Sequence, residues 1–210
     1  MLHRGPGDIN ILVNRPKVLE DIVANNYDQY YYMMFALPIA LNARTIVETG
    51  LCWGHSTRIH LEALSFMDQP RLLITCELDS EKYNDIANQI RSLNLKAQWD
   101  LYYGNSVTRA ESWKQTYGDT KIDYLYLDSD HSYEHVTNEL NAFYPYLSKR
   151  CLIMGDDTWN QNEPHAYFNK RNPGKYPTDV YWAFYDWWQK HQEFKILNFS
   201  YPEGKVIIIR

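Results

Sequence analysis

The chain has 210 residues and a formal net charge of −5 at pH 7, which gives no basic surface of the kind that nucleic-acid-binding proteins need. Its longest apolar run, residues 33–41, is interrupted by Pro38 and is far too short to span a membrane. The N-terminus has no apolar secretion signal, and the three cysteines, Cys52, Cys76 and Cys151, match no zinc pattern. We therefore expect one cytoplasmic domain with buried, reduced cysteines and no nucleic-acid or membrane partner.

The N-terminal region predicts an irregular arm followed by a helix. Residues 1–17 are rich in glycine and proline, whereas residues 18–42 have a helical pattern in which Pro38 should cause a kink or a break. Residues 30–35, Tyr-Tyr-Tyr-Met-Met-Phe, are too apolar for a free surface helix. We expect them to pack on a sheet, and a substrate wall or a contact between copies of a homo-oligomer is the alternative.

A glycine turn follows the first predicted strand, residues 45–48, and leads into a helix that ends near Phe66. Strand, glycine turn and helix form the start of a nucleotide-binding unit. The turn lacks the full G-x-G-x-x-G pattern, and Trp53 stands where a pyrophosphate would need bare backbone. The turn therefore suits a nucleoside ligand without phosphates better than NAD or ATP, with a purely structural turn as the alternative.

Glu77 ends the second predicted strand, residues 71–76. A carboxylate at this point commonly holds the hydroxyl groups of a ribose, because it can accept two hydrogen bonds. Its alternative role is to cap the helix predicted over residues 80–93. Because Asp79 or Ser80 can provide that cap, Glu77 is left for a ligand.

The third predicted strand, residues 97–103, ends at Gly104, Asn105 and Ser106. Small polar residues in this place either flank an adenine ring or form a plain turn, and their spacing does not separate the two. A helix over residues 108–117 should lead to the next strand.

Acidic residues end two further predicted strands. The apolar run 122–127 stops at Asp128, Asp130 and His131, and after a helix over 132–146 the strand 151–156 runs into Asp156 and Asp157. Because ligands of an open parallel sheet bind outside the carboxyl ends of its strands, these groups should share one crevice. Crowded carboxylates repel each other and raise each other's pKa values unless a cation lies among them.

The segment 158–178 is rich in asparagine, proline and aromatic residues and shows no period, which is typical of a lid or binding loop. Trp159 and Tyr167 are its candidates for stacking on a substrate ring. A helix over residues 180–191, whose tryptophans should belong to the core, and a hairpin of strands 194–199 and 206–209 complete the chain.

In order and spacing, these motifs resemble those of class I S-adenosylmethionine-dependent methyltransferases. More narrowly, they resemble the metal-dependent O-methyltransferases of the catechol type and of the sugar and macrolide type. The resemblance covers residues 43–158 together with the last helix and hairpin. It implies an α/β, Rossmann-like, seven-stranded and mostly parallel sheet with an antiparallel C-terminal hairpin and helices on both faces.

The resemblance also implies a divalent metal, Mg²⁺ or a similar ion, bound by Asp128, Asp156 and Asp157. The catechol type has asparagine where Asp157 stands, whereas the sugar type carries two acidic residues. His131 takes the place of the catalytic base, which is histidine in the sugar type, and this favours a sugar-like or other aliphatic hydroxyl group as the acceptor. Asp130 would orient a metal ligand or His131, or would simply be solvated.

The cofactor implied by the resemblance is S-adenosylmethionine, held along the edge of the sheet by one group of residues. Its methionine end is assigned to Glu48, Gly50 and Ser56, its ribose to Glu77, and its adenine to Asn105 and Ser106.

Elementary chemistry supports the same assignment. Three hard carboxylates suit an octahedral ion such as Mg²⁺. Metal coordination lowers the pKa of an alcohol, and a histidine with a pKa of about 6.5 can take the proton. The alternatives are a nicotinamide-dependent oxidoreductase and a non-catalytic protein that keeps the cofactor fold and binds a partner through aromatic terminal helices. Trp53 argues against the first, and retention of all three aspartates and His131 argues against the second.

Overall fold

The computed structural model describes residues 30–158, 179–199 and 204–210. Within them, seven strands form one sheet in the order β3-β2-β1-β4-β5-β7-β6. The strands are β1 Thr45–Thr49, β2 Leu72–Glu77, β3 Gln98–Tyr103, β4 Ile122–Leu127, β5 Leu147–Gly155, β6 Lys195–Phe199 and β7 Lys205–Ile209. The predicted arm, most of the predicted lid, Trp159 and Tyr167 lie outside the described residues.

Strands β1 to β5 pair in parallel, and β7 runs antiparallel between β5 and β6. The predicted fold class is therefore confirmed. Strand β1 lies between β2 and β4. The chain continues from β1 to β2 and β3 on one side, and then crosses to β4 and β5 on the other side. A crevice at the carboxyl ends of the strands is expected at such a switch point.

Seven α-helices cover the sheet in the described parts of the chain. They are α1 Tyr30–Leu41, α2 His55–Phe66, α3 Ser80–Ser92, α4 Ser106–Glu111, α5 Trp113–Tyr117, α6 Tyr133–Phe143 and α7 Asp179–Lys190, and a 3-10 turn, Tyr144–Tyr146, follows α6. None is long and apolar enough to cross a membrane.

Two of the predicted helices differ from the observed ones. The helix predicted over 108–117 is two helices that meet at Ser112, whose hydroxyl donates to the Arg109 carbonyl at 3.0 Å. Such a local side-chain bond competes with the helical backbone pattern. In α1 the helix continues past Pro38 to Leu41 and buries this residue, so the predicted break is wrong and the predicted kink stays a prediction.

Each face of the sheet buries its own core. Helices α1, α2 and α3 cover the face that carries Ile46, Tyr124 and Met154, and helices α4 to α7 cover the face that carries Val47 and Leu125. Alternate residues of one strand thus point into different cores, as the pleat requires.

The aromatic segment at the start of α1 packs as expected. Tyr30, Met34 and Phe35 are buried in the first core, which confirms the packing prediction. Tyr31, in the same segment, instead lines the cleft described below.

The cysteine prediction is wrong at one position. Cys76 and Cys151 are buried, but Cys52 lies exposed in the glycine turn, where its φ angle is 44°. This side chain lines the cleft described below and belongs to neither core.

Candidate active site

An open cleft of about 730 Å³ lies at the carboxyl ends of strands β1 to β5. Most of the residues predicted for the site line this one cleft. They are Gly50, Glu77, Asn105, Ser106, Asp128, His131, Asp156 and Asp157. The other two predicted residues, Glu48 and Ser56, are not among the described residues that line it.

The glycine turn lies directly against the end of β4. Gly50 has a φ angle of +89°, and a Cβ built on it would stand 2.0 Å from the carbonyl oxygen of Asp128. Its N–H donates to the carbonyl of Cys76 at 2.8 Å. Only glycine fits this junction, because any side chain would be strained by the backbone and would collide with the neighbouring strand end.

Glu77 joins the end of β2 to the glycine turn. Its Oε2 accepts from the N–H groups of Leu51 at 2.9 Å and Cys52 at 3.4 Å, and its Oε1 accepts from the N–H of Asp79 at 3.0 Å. Asp79 caps α3 by accepting from the N–H of Lys82 at 2.9 Å, as predicted. The Glu77 carboxylate is thus fixed at the cleft wall, and its ribose role stays a prediction.

Asn105 and Ser106 begin α4 at the same wall. The Asn105 side chain caps the helix by accepting from the N–H of Val107 at 2.9 Å. Ser106, 5% exposed, donates its hydroxyl to Glu139 at 2.6 Å.

Sequence reasoning missed Glu139, which lies fully buried behind this wall. Its Oε1 accepts from Ser106 and, at 2.9 Å, from Ser129, and it lies 3.2 Å from Nε2 of His135. The hydrogen bond to Glu139 raises the pKa of His135 above its ordinary value, against the effect of burial. The spacing of His135 and Glu139 on one helix face is the only sequence signal that could have indicated the pair.

Asp128, His131 and Asp157 form the centre of the acidic cluster. The His131 Nε2 lies 3.5 Å from Oδ1 of Asp128 and 3.4 Å from Oδ2 of Asp157. One ligand atom from each of the three residues lies within 4.8 Å of the others, which is close enough to share one metal ion. Asp157 reaches this place from a left-handed backbone with a φ angle of 52°.

Asp156 faces the same cleft but is held by protein groups. Its Oδ1 forms an ion pair with Nζ of Lys205 and accepts from the N–H of Asp157 at 2.6 Å, and its Oδ2 accepts from the hydroxyl of Tyr126. The same hydroxyl lies 3.3 Å from Oδ2 of Asp128. Tyr126 therefore links the two carboxylates, and Lys205, which sequence reasoning also missed, neutralises one of them.

The acids act on each other's protonation. Burial and the neighbouring carboxylates of Asp156 and Asp157 raise the pKa of Asp128 from 3.8 to about 7, although His131 opposes the shift. A raised pKa of this kind indicates that the ionised carboxylate has too little positive charge near it.

Asp130 is exposed and belongs to the start of α6. Its Oδ1 accepts from the N–H of Ser132 at 2.7 Å. Burial raises the pKa of Asp130, but the hydrogen bonds from Ser132 lower it, and the pKa ends below its ordinary value. Its observed role is thus to shape the loop that carries His131.

Glu48 lies below the cleft in the first core and is fully buried. Its Oε2 accepts from Thr57 at 2.5 Å and Thr75 at 3.0 Å, and its Oε1 lies 3.3 Å from Nδ1 of the buried His60. These bonds fix α2 against β1 and β2. A contact of Glu48 or of Ser56, which is 8% exposed, with a cofactor stays a prediction.

Comparison with known proteins identifies a family. Residues 47–158 match a family model described as a methyltransferase domain. No curated protein matches the sequence. The match covers more than half of the chain, which therefore belongs to this methyltransferase family.

Several solved structures share the fold. An O-methyltransferase from Bacillus cereus in complex with SAH has 17% identity and a TM-score of 0.66 over 96% of this chain and 95% of its own. The O-methyltransferase TomG from Streptomyces achromogenes, in complex with SAM, has 11% identity and a TM-score of 0.64 over 100% and 92%. The SAH-bound methyltransferase PaMTH1 from Podospora anserina has 12% identity and a TM-score of 0.63 over 99% and 97%.

Proposed function

We propose that this member of the methyltransferase family is an S-adenosylmethionine-dependent, divalent-metal-dependent O-methyltransferase that acts on a hydroxyl group of a small molecule. The observation that carries the proposal is the meeting of a nucleoside-type wall and an acidic cluster in one cleft. Glu77 and Ser106 line one part of this cleft, and Asp128, His131 and Asp157 line another. Structural neighbours crystallised with SAM or SAH support the same cofactor.

The cofactor would lie along the ends of β1, β2 and β3. We assign its methionine end to Gly50 in the turn after β1 and to Glu48 and Ser56 on either side of that turn. Glu77 already accepts two hydrogen bonds with one oxygen, so ribose hydroxyls would bind its other lone pairs or replace a backbone donor. The adenine would lie against Asn105 and Ser106.

The donor set fits a divalent metal. Asp128 and Asp157 offer oxygen atoms within 4.8 Å of each other and of the His131 imidazole. Asp156 is the third proposed ligand, and its carboxylate would join them by exchanging part of its contact with Lys205 or Tyr126. When bound, a divalent ion supplies charge that lowers the pKa of an alcohol and orients its oxygen.

His131 is the proposed general base. Its imidazole lies between two carboxylates, and the contacts of Nε2 with Asp128 and Asp157 orient the ring. The acceptor hydroxyl would lose its proton to this ring while its oxygen attacks the methyl group in line. The bond between that methyl group and the sulfonium sulfur would break and release S-adenosylhomocysteine. Holding both reactants in one cleft supplies much of the acceleration.

A sugar or a sugar-bearing compound is the proposed acceptor. Support comes from the histidine at position 131 and from the second acid at position 157, both of which resemble the sugar type. Polar side chains such as Ser129, Asp130 and His135 also line the cleft, so it suits a hydroxyl-rich compound.

Thermal unfolding with ligands tests the proposal. The melting temperature should rise with S-adenosylhomocysteine and rise further with Mg²⁺, because ligands that bind only the folded state stabilise it by mass action. NADH is the matched control, and it should leave the melting temperature unchanged. A response to NADH with none to S-adenosylhomocysteine would favour an oxidoreductase, and no response to either would refute the cofactor assignment.

A further inference from the structure

A fully buried lysine lies at the edge of the acidic cluster. Lys205 is 1% exposed, and it stands on β7 beside the end of β5, because Val206 pairs with Gly155. A buried ammonium group is strongly unfavourable unless it is paired. Its partner is Asp156, so the two charges enter the interior together.

The surroundings of Lys205 fix its ammonium in place. Its Nζ lies 4.8 Å from the ring centre of Tyr30, which is a favourable cation–π arrangement. The other oxygen of Asp156 accepts a hydrogen bond from the Tyr126 hydroxyl. The Lys205 ammonium is therefore fixed inside the fold, unlike the charge of a mobile lysine on the surface.

The charges of the cluster have a simple consequence. Asp128, Asp156 and Asp157 carry three negative charges when ionised, and the Lys205 ammonium removes one of them. Counted over these described side chains, two negative charges remain, which one divalent cation balances while His131 is neutral and able to accept a proton. Without Lys205, the same carboxylates would match a trivalent cation.

We propose that Lys205 is a specificity-determining residue that sets the charge of this cluster, lowering its affinity for cations and matching it to a divalent ion. The inference rests on the proposed metal-dependent function. It assigns Lys205 a role through Asp156, with no contact to the substrate. If Lys205 only held Asp156 in position for the metal, removal of Lys205 would lower the Mg²⁺ affinity instead of raising it.

The test compares cation binding by the wild type with that by Lys205→Met and Lys205→Arg, and the exposed Lys195→Met on β6 is the matched control. Mg²⁺ affinity is measured by calorimetry, with and without S-adenosylhomocysteine. Tb³⁺ affinity is measured by luminescence. We expect Lys205→Met to bind Mg²⁺ on the order of tenfold more tightly, because a unit positive charge near a dication is removed in a medium of low dielectric constant. Tb³⁺ should gain more than Mg²⁺, and Lys205→Arg and Lys195→Met should bind both as the wild type does.

A second pair of variants avoids leaving a buried carboxylate unpaired. Asp156→Asn should bind Mg²⁺ more weakly than the wild type, and Asp156→Asn combined with Lys205→Met should regain affinity relative to Asp156→Asn alone. In Asp156→Asn the Lys205 ammonium keeps the amide oxygen as an acceptor and the Tyr30 ring as a contact, so the comparison measures its charge even if Lys205→Met does not fold.

Two results would overturn the inference. Unchanged or weaker Mg²⁺ binding after removal of Lys205, in both backgrounds, would mean that the ion pair only supports the fold. Absence of divalent binding by a wild-type protein that binds S-adenosylhomocysteine would reject both the inference and the metal dependence, while leaving the cofactor assignment intact. Failure to bind S-adenosylhomocysteine would instead reject the proposed function, and the Mg²⁺ comparison without cofactor would still decide the role of Lys205.

Discussion

Asp128→Asn should stabilise the metal-free protein at neutral and higher pH while abolishing methyl transfer. The substitution keeps the size of the side chain and removes a charge that the fold disfavours. The pKa of Asp128 is raised from 3.8 to about 7, first by burial and then by Asp156 and Asp157. Because the folded state holds a proton that the unfolded state releases between these values, the free energy of unfolding falls as pH rises through this window. The penalty is complete above pH 7 and absent below the unfolded pKa.

The shift of about three pKa units corresponds to at most ~4 kcal/mol. The side chain is 30% exposed and is partly screened by solvent, so we expect roughly half of this value, ~2 kcal/mol. For a chain of 210 residues this amounts to a rise in melting temperature of roughly 4–8 °C.

The assay is thermal unfolding of wild type and Asp128→Asn, with a chelator present, at about pH 4.5 and about pH 8. The stabilisation should be large only at the higher pH, and Mg²⁺ should stabilise the wild type more than the variant. Asp130→Asn is the matched control and should be destabilised instead, because hydrogen bonds to Ser132 lower the pKa of Asp130 below its ordinary value. An Asp128→Asn protein that is less stable than the wild type at the higher pH would refute the reasoning. Loss of S-adenosylhomocysteine binding would mean that Asp128 supports the fold.

Three further substitutions test other parts of the site. Gly50→Ala should cost roughly 3 kcal/mol or more in thermal unfolding, because its Cβ would lie 2.0 Å from a backbone oxygen and its φ angle is also strained for alanine. Gly118→Ala has open space and should cost only the backbone strain of its positive φ angle, about 1–3 kcal/mol. His131→Ala should lower kcat by about 10²–10⁴-fold in a methyl-transfer assay, and an unchanged kcat would exclude it as the base. Asp79→Ala should cost about 1 kcal/mol in chemical unfolding through loss of the α3 cap, whereas the exposed Asp85→Ala should cost almost nothing.

The position of the cleft could be predicted because it depends on strand ends. Gly50 follows β1, Glu77 ends β2 and Asp128 follows β4, and each of these places can be recognised locally from an apolar run that stops at a polar residue. Parallel strands bring such ends to one edge of the sheet. No long-range information beyond the strand order was needed.

The contacts behind the cleft could not be predicted in the same way. Lys205 stands next to Gly204 at the start of the last strand, where a lysine is usually solvated, and its pairing with Asp156 follows from the antiparallel register of β7. Glu139 appears in the sequence as an ordinary helix residue, and its burial depends on how α6 packs against α4. Buried charges of this kind depend on tertiary structure, which the local pattern does not contain.

The contact between Gly50 and the Asp128 carbonyl limits how this scaffold can be re-engineered. The segment that would hold the cofactor and the segment that would hold the metal share a junction with no space for one methyl group, so neither can be exchanged for a foreign loop without its counterpart. Libraries aimed at new acceptors should keep both segments of this junction as a single cassette. Diversity then belongs outside these two segments, for example at Tyr31 of α1, which also borders the cleft.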